Sequence, residues 1–117
     1  MTVKWKGSTG FRVLDDAIRL RGLVRPIVRA ARAAGDRELA EQLRRASRSV
    51  VANTTEGRNR RGRHQASFFD TAYGSSQETK VWITEAVADG VVEAEVAERA
   101  WDLADKCAAT LWKLKTG

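Results

Sequence analysis

Val13, Ala17, Leu20, Val24, Ile27, Ala31 and Ala34 recur at alternating steps of four and three. Such a seam places every apolar side chain on one face of a helix and suits it to pack in a bundle. The seam stays in phase through Pro26, the single proline of the chain. That proline lies off the seam, so it is expected to remove one backbone bond and bend the helix rather than end it. Gly35-Asp36 follows as a glycine stop and an N-cap for the next helix. The spacing predicts a first helix over 11–34.

A second stripe follows at the same steps: Leu39, Leu43, Ala46, Val50, Asn53 and Gly57, on a helix expected over 37–58. Arg37, Arg44 and Arg48 fall on its opposite face, and Glu41 and Arg45 are spaced to pair. Asn53 is a polar amide in an apolar stripe and needs a hydrogen-bond partner if buried. A third helix is expected over 65–89, with Gly90 as its stop. Its packing face is Phe69, Ala72, Ser76, Thr79, Ile83 and Ala86, flanked by Phe68, Ser75 and Trp82. Gly74, in mid-helix, costs about 1 kcal/mol relative to Ala, which a close approach of another backbone would offset. Glu78, near this narrow stretch, either faces solvent or accepts from Asn53 or Arg45. A fourth helix is expected over 93–115. Its apolar face is Ala97, Ala100, Trp101, Ala104, Cys107, Ala108, Leu111 and Leu114, and its acidic face is Glu95, Glu98, Asp102 and Asp105. Trp101 and Trp112, at one edge of the apolar face, either close the core or anchor a subunit contact. The expected fold is all-α, an up-and-down antiparallel four-helix bundle over 11–117, preceded by a flexible arm over 1–10 that holds Trp5.

The 117 residues suffice for one domain. One histidine and one cysteine exclude an internal disulfide and the usual zinc ligand sets. No Glu-x-x-His pair, Gly-rich phosphate loop or nucleophile–base arrangement is present, so no catalytic residue, metal or cofactor is expected. Cys107 reads as a small core residue. No apolar run spans a bilayer, and the first residues lack a signal-peptide core, so the expected location is the cytoplasm.

Charge is divided unevenly. Residues 1–64 carry 16 Lys+Arg against 6 Asp+Glu, and residues 65–117 carry 5 against 9. Either a basic surface meets a polyanion or unlike faces drive self-association. Arg21, Arg25, Arg29 and Arg32 line one flank of the first helix, and Arg44 and Arg48 could join them from the second. Arg58, Arg60, Arg61 and Arg63, in a segment turned at Gly62 and ending at His64, form either a solvated loop or a phosphate-contacting one. Arg suits phosphate through its planar fork. The few aromatics lie on packing faces, so backbone contact is expected over base stacking.

Gln42-Leu43-Arg44-Arg45-Ala46 through Ser49-Val50 to Asn53, Glu56 and Gly57, then Phe69, Ala72, Gly74-Ser75 and Glu78, resembles the four-helix-bundle family of 23S ribosomal RNA intervening-sequence proteins. The resemblance covers about residues 11–115. The family is similar in fold to the accessory protein of diversity-generating retroelements, a basic homopentameric barrel that binds nucleic acid and partners a reverse transcriptase. The resemblance thus implies a homo-oligomer, a pentameric ring, with RNA or DNA and a reverse transcriptase as candidate partners. It also makes Asn53 and Glu78 candidate partners inside the bundle. Where the family has an apolar residue and then Ala between its Asn and Glu, this chain has Thr54 and Thr55, which alters local packing or exposes that turn. The expected function is a non-enzymatic, ring-forming nucleic-acid-binding accessory protein. The alternative is a structural module in which the basic face of one subunit meets the acidic fourth helix of the next.

Overall fold

A computed structural model describes residues 7–117. Trp5 and the rest of the arm's first six residues lie outside the described range. Four helices account for the fold: α1 (Arg12–Ala33), α2 (Arg37–Arg58), α3 (Gly62–Ala88) and α4 (Ala94–Thr116). Apolar side chains on a single face leave each helix unstable alone, so the four pack their faces inward. Neighbours in sequence are neighbours in space, and α4 returns to lie beside α1.

The buried side chains form two clusters along the bundle. One joins the C-terminal half of α1 (Leu20, Val24, Ile27) and the N-terminal half of α2 (Leu39, Leu43). It continues through Ile83 and Ala86 near the end of α3 to Ala97 and Leu103 near the start of α4. The other joins Val13 and Ala17 to Val50, Phe69, Ala72, Cys107 and Leu111. Each helix therefore runs opposite to the next, as in an up-and-down bundle. Small buried hydroxyl residues from α2 and α3 (Ser47, Thr54, Ser75, Ser76 and Thr79) complete the interior. Ser47, Ser76 and Thr79 each donate to the carbonyl four residues earlier, at 2.9, 3.0 and 2.7 Å.

The turns follow the local chemistry. Gly35 adopts φ +81°, and the Asp36 N–H donates to the Ala31 carbonyl at 2.9 Å, which closes α1. The Asp36 side chain then accepts from the Leu39 N–H at 3.0 Å and caps α2. Gly90, at φ +72°, ends α3 in the same way. Pro26 does not end α1. It and Gly22, whose carbonyl it leaves without a helical partner, both lie on the exposed side.

Several local expectations differ from what the structure holds. α3 begins at Gly62, three residues early, so the basic segment is not an extended loop. Only Asn59, Arg60 and Arg61 lie between helices. Gln65 ties this corner by donating to the carbonyls of Gly57 and Arg60, both at 3.0 Å. Gly74 is exposed, and a Cβ there would meet nothing within 4 Å. The close approach falls at Gly57 instead, where a Cβ would lie 2.6 Å from Cδ1 and Cε1 of Phe69. Ala34 and Leu114 are exposed, and Leu103 is buried in their stead.

Candidate nucleic-acid interface

The ten arginines singled out in the sequence separate into two groups. On α1, Arg21, Arg25, Arg29 and Arg32 lie at helical steps of four, four and three, so one flank carries all of them. That flank faces α2. With Arg44 they line a cleft of about 220 Å³ whose floor is Val24, Val28 and Ser47. The cleft exists because the floor residues belong to the packing faces, while the long arginine side chains rise on either side of them. Arg48, one turn beyond Arg44, contributes its charge to Arg21.

Few acids answer this charge. Arg44 pairs with Glu41 at 2.8 Å, and Arg45, outside the cleft, shares the same carboxylate at 3.2 Å. The Arg44 guanidinium holds the Glu41 carboxyl below its ordinary value, and Glu41 raises Arg44 in turn. Among the described residues, no ion pair reaches Arg21, Arg25, Arg29, Arg32 or Arg48. Arg21 is the most confined. Its Nε is shut off from solvent and has no hydrogen-bond partner among the described residues. Burial pushes its pKa below the ordinary arginine value, and Arg25, Arg48 and Arg44 push it further. Like charges at helical spacing each destabilise by roughly 0.2–0.5 kcal/mol. The mutual repulsion of the charges in this stripe therefore works against the fold.

The second group sits at the other end of α2. From Arg44 to Arg58 the helix rises about 21 Å, so the two groups do not merge into one face. Two of its members have contacts within the fold. Arg58 donates to the Thr9 carbonyl at 2.7 Å and lies over the Phe11 ring, 5.5 Å from its centroid. Arg60 pairs with Glu56 at 3.0 Å and lies over Phe68. Arg61 and Arg63 are exposed.

The motif residues acquire partners other than those expected. Asn53 donates to the Ser49 carbonyl at 3.0 Å and to Ser49 Oγ at 2.9 Å, within its own helix. Ser49 Oγ in turn lies 2.7 Å from Ser75 Oγ and so carries the link across to α3. Glu78 is exposed and accepts from Trp82 Nε1 at 3.2 Å. Asn53 and Glu78 are thus not paired. Gln65, Ser49 and the buried Nε of Arg21 are the features that spacing alone did not single out; the first two belong to ordinary polar positions and carry no periodic signal.

Trp101 and Trp112 are 37 % and 49 % exposed, so neither is closed into the core. Trp112 packs against Tyr73 with the rings tilted by 54° and their centroids 5.3 Å apart, and Lys115 covers it at 4.3 Å. Lys80 lies 4.9 Å above Trp101. Beside Trp101, a groove of about 480 Å³ runs between α3 and α4, lined by Ile83, Val87, Ala94 and Ala97 among others. Cys107 is fully buried, and burial, aided by Asp16, raises its thiol to about 12. It has no access to a substrate. No helix among the described residues is long and apolar enough to cross a membrane.

Fold and surface together define a class: an up-and-down four-helix bundle with an arginine-lined cleft between its first two helices. The sequence matches the family described as 23S rRNA-intervening sequence protein over residues 10–113. The chain belongs to that family. Its fold is similar to the crystal structure of a protein of unknown function from the S23 ribosomal protein family of Bacteroides thetaiotaomicron. The two agree with a TM-score of 0.82 at 15% identity, over 90% of this chain and 99% of the other. No curated protein matches the chain.

Proposed function

We propose that this protein is a non-enzymatic accessory protein that holds the phosphate backbone of RNA or DNA and assembles into a homo-oligomeric ring. The observation that carries the proposal is the convergence of Arg21, Arg25, Arg29, Arg32 and Arg44 on one cleft, with a single carboxylate among the described residues to answer them. Arginines placed so at a cost to the helix call for an anion from outside the chain. The family's name connects it with an insertion in ribosomal RNA, so structured RNA is the first ligand to try. Four phosphates engaged per protomer give a slope of log K on log salt of about −3 to −4. Binding to a structured RNA and to duplex DNA, measured across a salt series, tests this. Affinity that ignores salt, or no binding at low salt, refutes it.

One observation favours the alternative, a module whose business is self-assembly. Trp101, 37 % exposed, lines the α3–α4 groove, Val81, 60 % exposed, lines a second hollow with Trp101, and the acidic side chains Glu98 and Asp102 border the groove. A second copy offering its basic α1–α2 face would meet these acids. Heterologous contacts of this kind close into rings, and the family resemblance favours five subunits. Native mass in low and high salt separates the cases. A ring held by charge dissociates in salt, one held by Trp and Ala packing persists, and a monomer in both conditions removes the ring.

A further inference from the structure

The α1–α2 cleft differs from a flat basic surface in ways that bear on what enters it. It is concave, and its volume of about 220 Å³ is many times the roughly 10–15 Å³ that one water-sized group needs. Its arginines come from both walls, four from α1 and Arg44 from α2. The Nε of Arg21 has no solvent contact and no acceptor of its own.

An internal phosphodiester can engage these arginines, but it carries one charge and is tethered on both sides, so it meets only a few of them at a time. A run of condensed phosphates has a free end and carries several charges within a few bond lengths. It also has enough oxygens to accept from several planar forks at once. Arg21, Arg25, Arg29 and Arg32, none of them answered by a carboxylate among the described residues, line this one cleft and supply more guanidiniums than a single phosphodiester can engage.

We infer that the cleft is an oligophosphate-binding site, taking the condensed phosphates of an RNA 5′-triphosphate end or of a small oligophosphate between Arg21, Arg25, Arg29, Arg32 and Arg44. The inference deepens the nucleic-acid function proposed above and rests on it for the RNA end as source. In this arrangement the cleft holds the chain end, and the distant Arg61 and Arg63 add contacts to the backbone beyond it.

Calorimetry on the full chain with inorganic triphosphate, and with one RNA sequence bearing a 5′-triphosphate or a 5′-hydroxyl, tests this. Triphosphate binds at least about tenfold more tightly than orthophosphate, because more oxygens meet more guanidiniums. If the source is RNA, the 5′-triphosphate form binds more tightly than the 5′-hydroxyl form. If it is a small molecule, triphosphate binds alone and the RNA end makes no difference. Arg21→Met removes one of the guanidiniums that line the cleft and relieves repulsion from its neighbours, so it weakens triphosphate binding by about tenfold or more while leaving thermal stability unchanged or raised. Arg25→Gln, at an exposed position, weakens binding without disturbing the fold. Triphosphate binding no tighter than orthophosphate, or unaltered in both variants, overturns the inference. RNA binding that follows the expected salt dependence with no binding of triphosphate overturns it as well, and leaves the backbone-binding function standing. Triphosphate binding with no RNA affinity has the opposite effect, since it supports the site and removes the nucleic acid.

Discussion

Replacing Gly57 by Ala sets two effects of known size against each other. Gly57 has ordinary helical geometry, so Ala should favour α2 by about 1 kcal/mol. The added Cβ, however, would lie 2.6 Å from two carbons of the Phe69 ring. Carbon atoms settle at about 3.5–4.0 Å, so the ring must retreat by about 1 Å. It has little room to do so. Phe69 is almost fully buried, its ring centroid is 6.2 Å from that of Phe11, and it shares a cluster with Val13, Val50 and Leu111. Overpacking a filled site costs about 1–3 kcal/mol, and a walled-in ring belongs in the upper half of that range. The net is a loss of about 1–2 kcal/mol once the helix gain is deducted. Unfolding entropy of about 2.1 cal/mol/K per residue turns this into a fall in Tm of about 4–8 °C. Thermal denaturation followed by circular dichroism, at fixed protein concentration, provides the measurement. Phe69→Leu removes the obstructing ring edge. The double variant should therefore be more stable than the two single losses added together, by about 1 kcal/mol. A rise in Tm for Gly57→Ala would mean that the ring yields freely, and would refute the steric account of this glycine.

Thr54→Val should stabilise the protein by about 1 kcal/mol, because Thr54 is fully buried and its Oγ1 has no partner among the described residues. Thr55→Val provides the control in chemical denaturation, since Thr55 Oγ1 already donates to the Val51 carbonyl at 2.8 Å; equal effects at the two positions would contradict the argument. Asp15 accepts from the Thr9 N–H at 2.9 Å and from Ser8 Oγ at 3.1 Å, and these bonds, the Thr9 N–H first, hold its carboxyl below the ordinary value. A carboxyl depressed in the folded state contributes stability above the unfolded value of about 3.9 and loses it as pH falls through the folded one. The Thr9 amide should therefore lose protection from exchange, relative to its intrinsic rate, below about pH 4, and Asp15→Asn should lower that protection at neutral pH. Arg60→Ala with Arg61→Ala should weaken RNA binding and cost under about 1 kcal/mol of stability, because the Arg60–Glu56 pair is exposed; fluorescence anisotropy and a melting curve on the same sample check both halves.

The order of helices was legible because each depends on local spacing. The seam from Val13 to Ala31, the Gly35-Asp36 junction and the Gly90 stop each act within a turn or two of their own position, and the structure follows them. Contacts between helices were less accessible. Asn53 and Glu78 suit each other chemically, but an amide on a helix can equally bond back to the preceding turn, and Ser49 was nearer. Gly74 and Gly57 look alike in sequence. Which of them meets a neighbour depends on how far each helix is rotated about its axis, and small changes in packing decide that. The arginines were identifiable as a concentration of charge. Their division into a cleft and a corner followed only once α2 was seen to hold them about 21 Å apart.

The pairing of the remaining charges supports a specific role for the cleft over a general one in solubility. Lys80 pairs with Asp105, Lys106 with Asp16 and Lys115 with Asp70, all involving α3 or α4. The acids of the second half of the chain are thus partly answered by nearby lysines. Among the described residues none of these acids pairs with an arginine of the first half, although α1 and α4 lie side by side. Were solubility the only requirement, dispersed lysines and arginines would meet it, since charges of both signs interspersed on a surface suffice. Here arginines stand at consecutive helical turns, where they repel one another, with one donor sealed from water. Such an arrangement stabilises the molecule only when an anion enters. Binding should therefore raise the melting temperature in proportion to the logarithm of ligand concentration, and most steeply at low salt. A variant lacking Arg21, Arg25 and Arg29 should melt at or above the parent temperature without ligand, and should gain nothing from it. If that variant instead melts well below the parent in the absence of any anion, the arginines serve the fold, and the case for a ligand in the cleft fails.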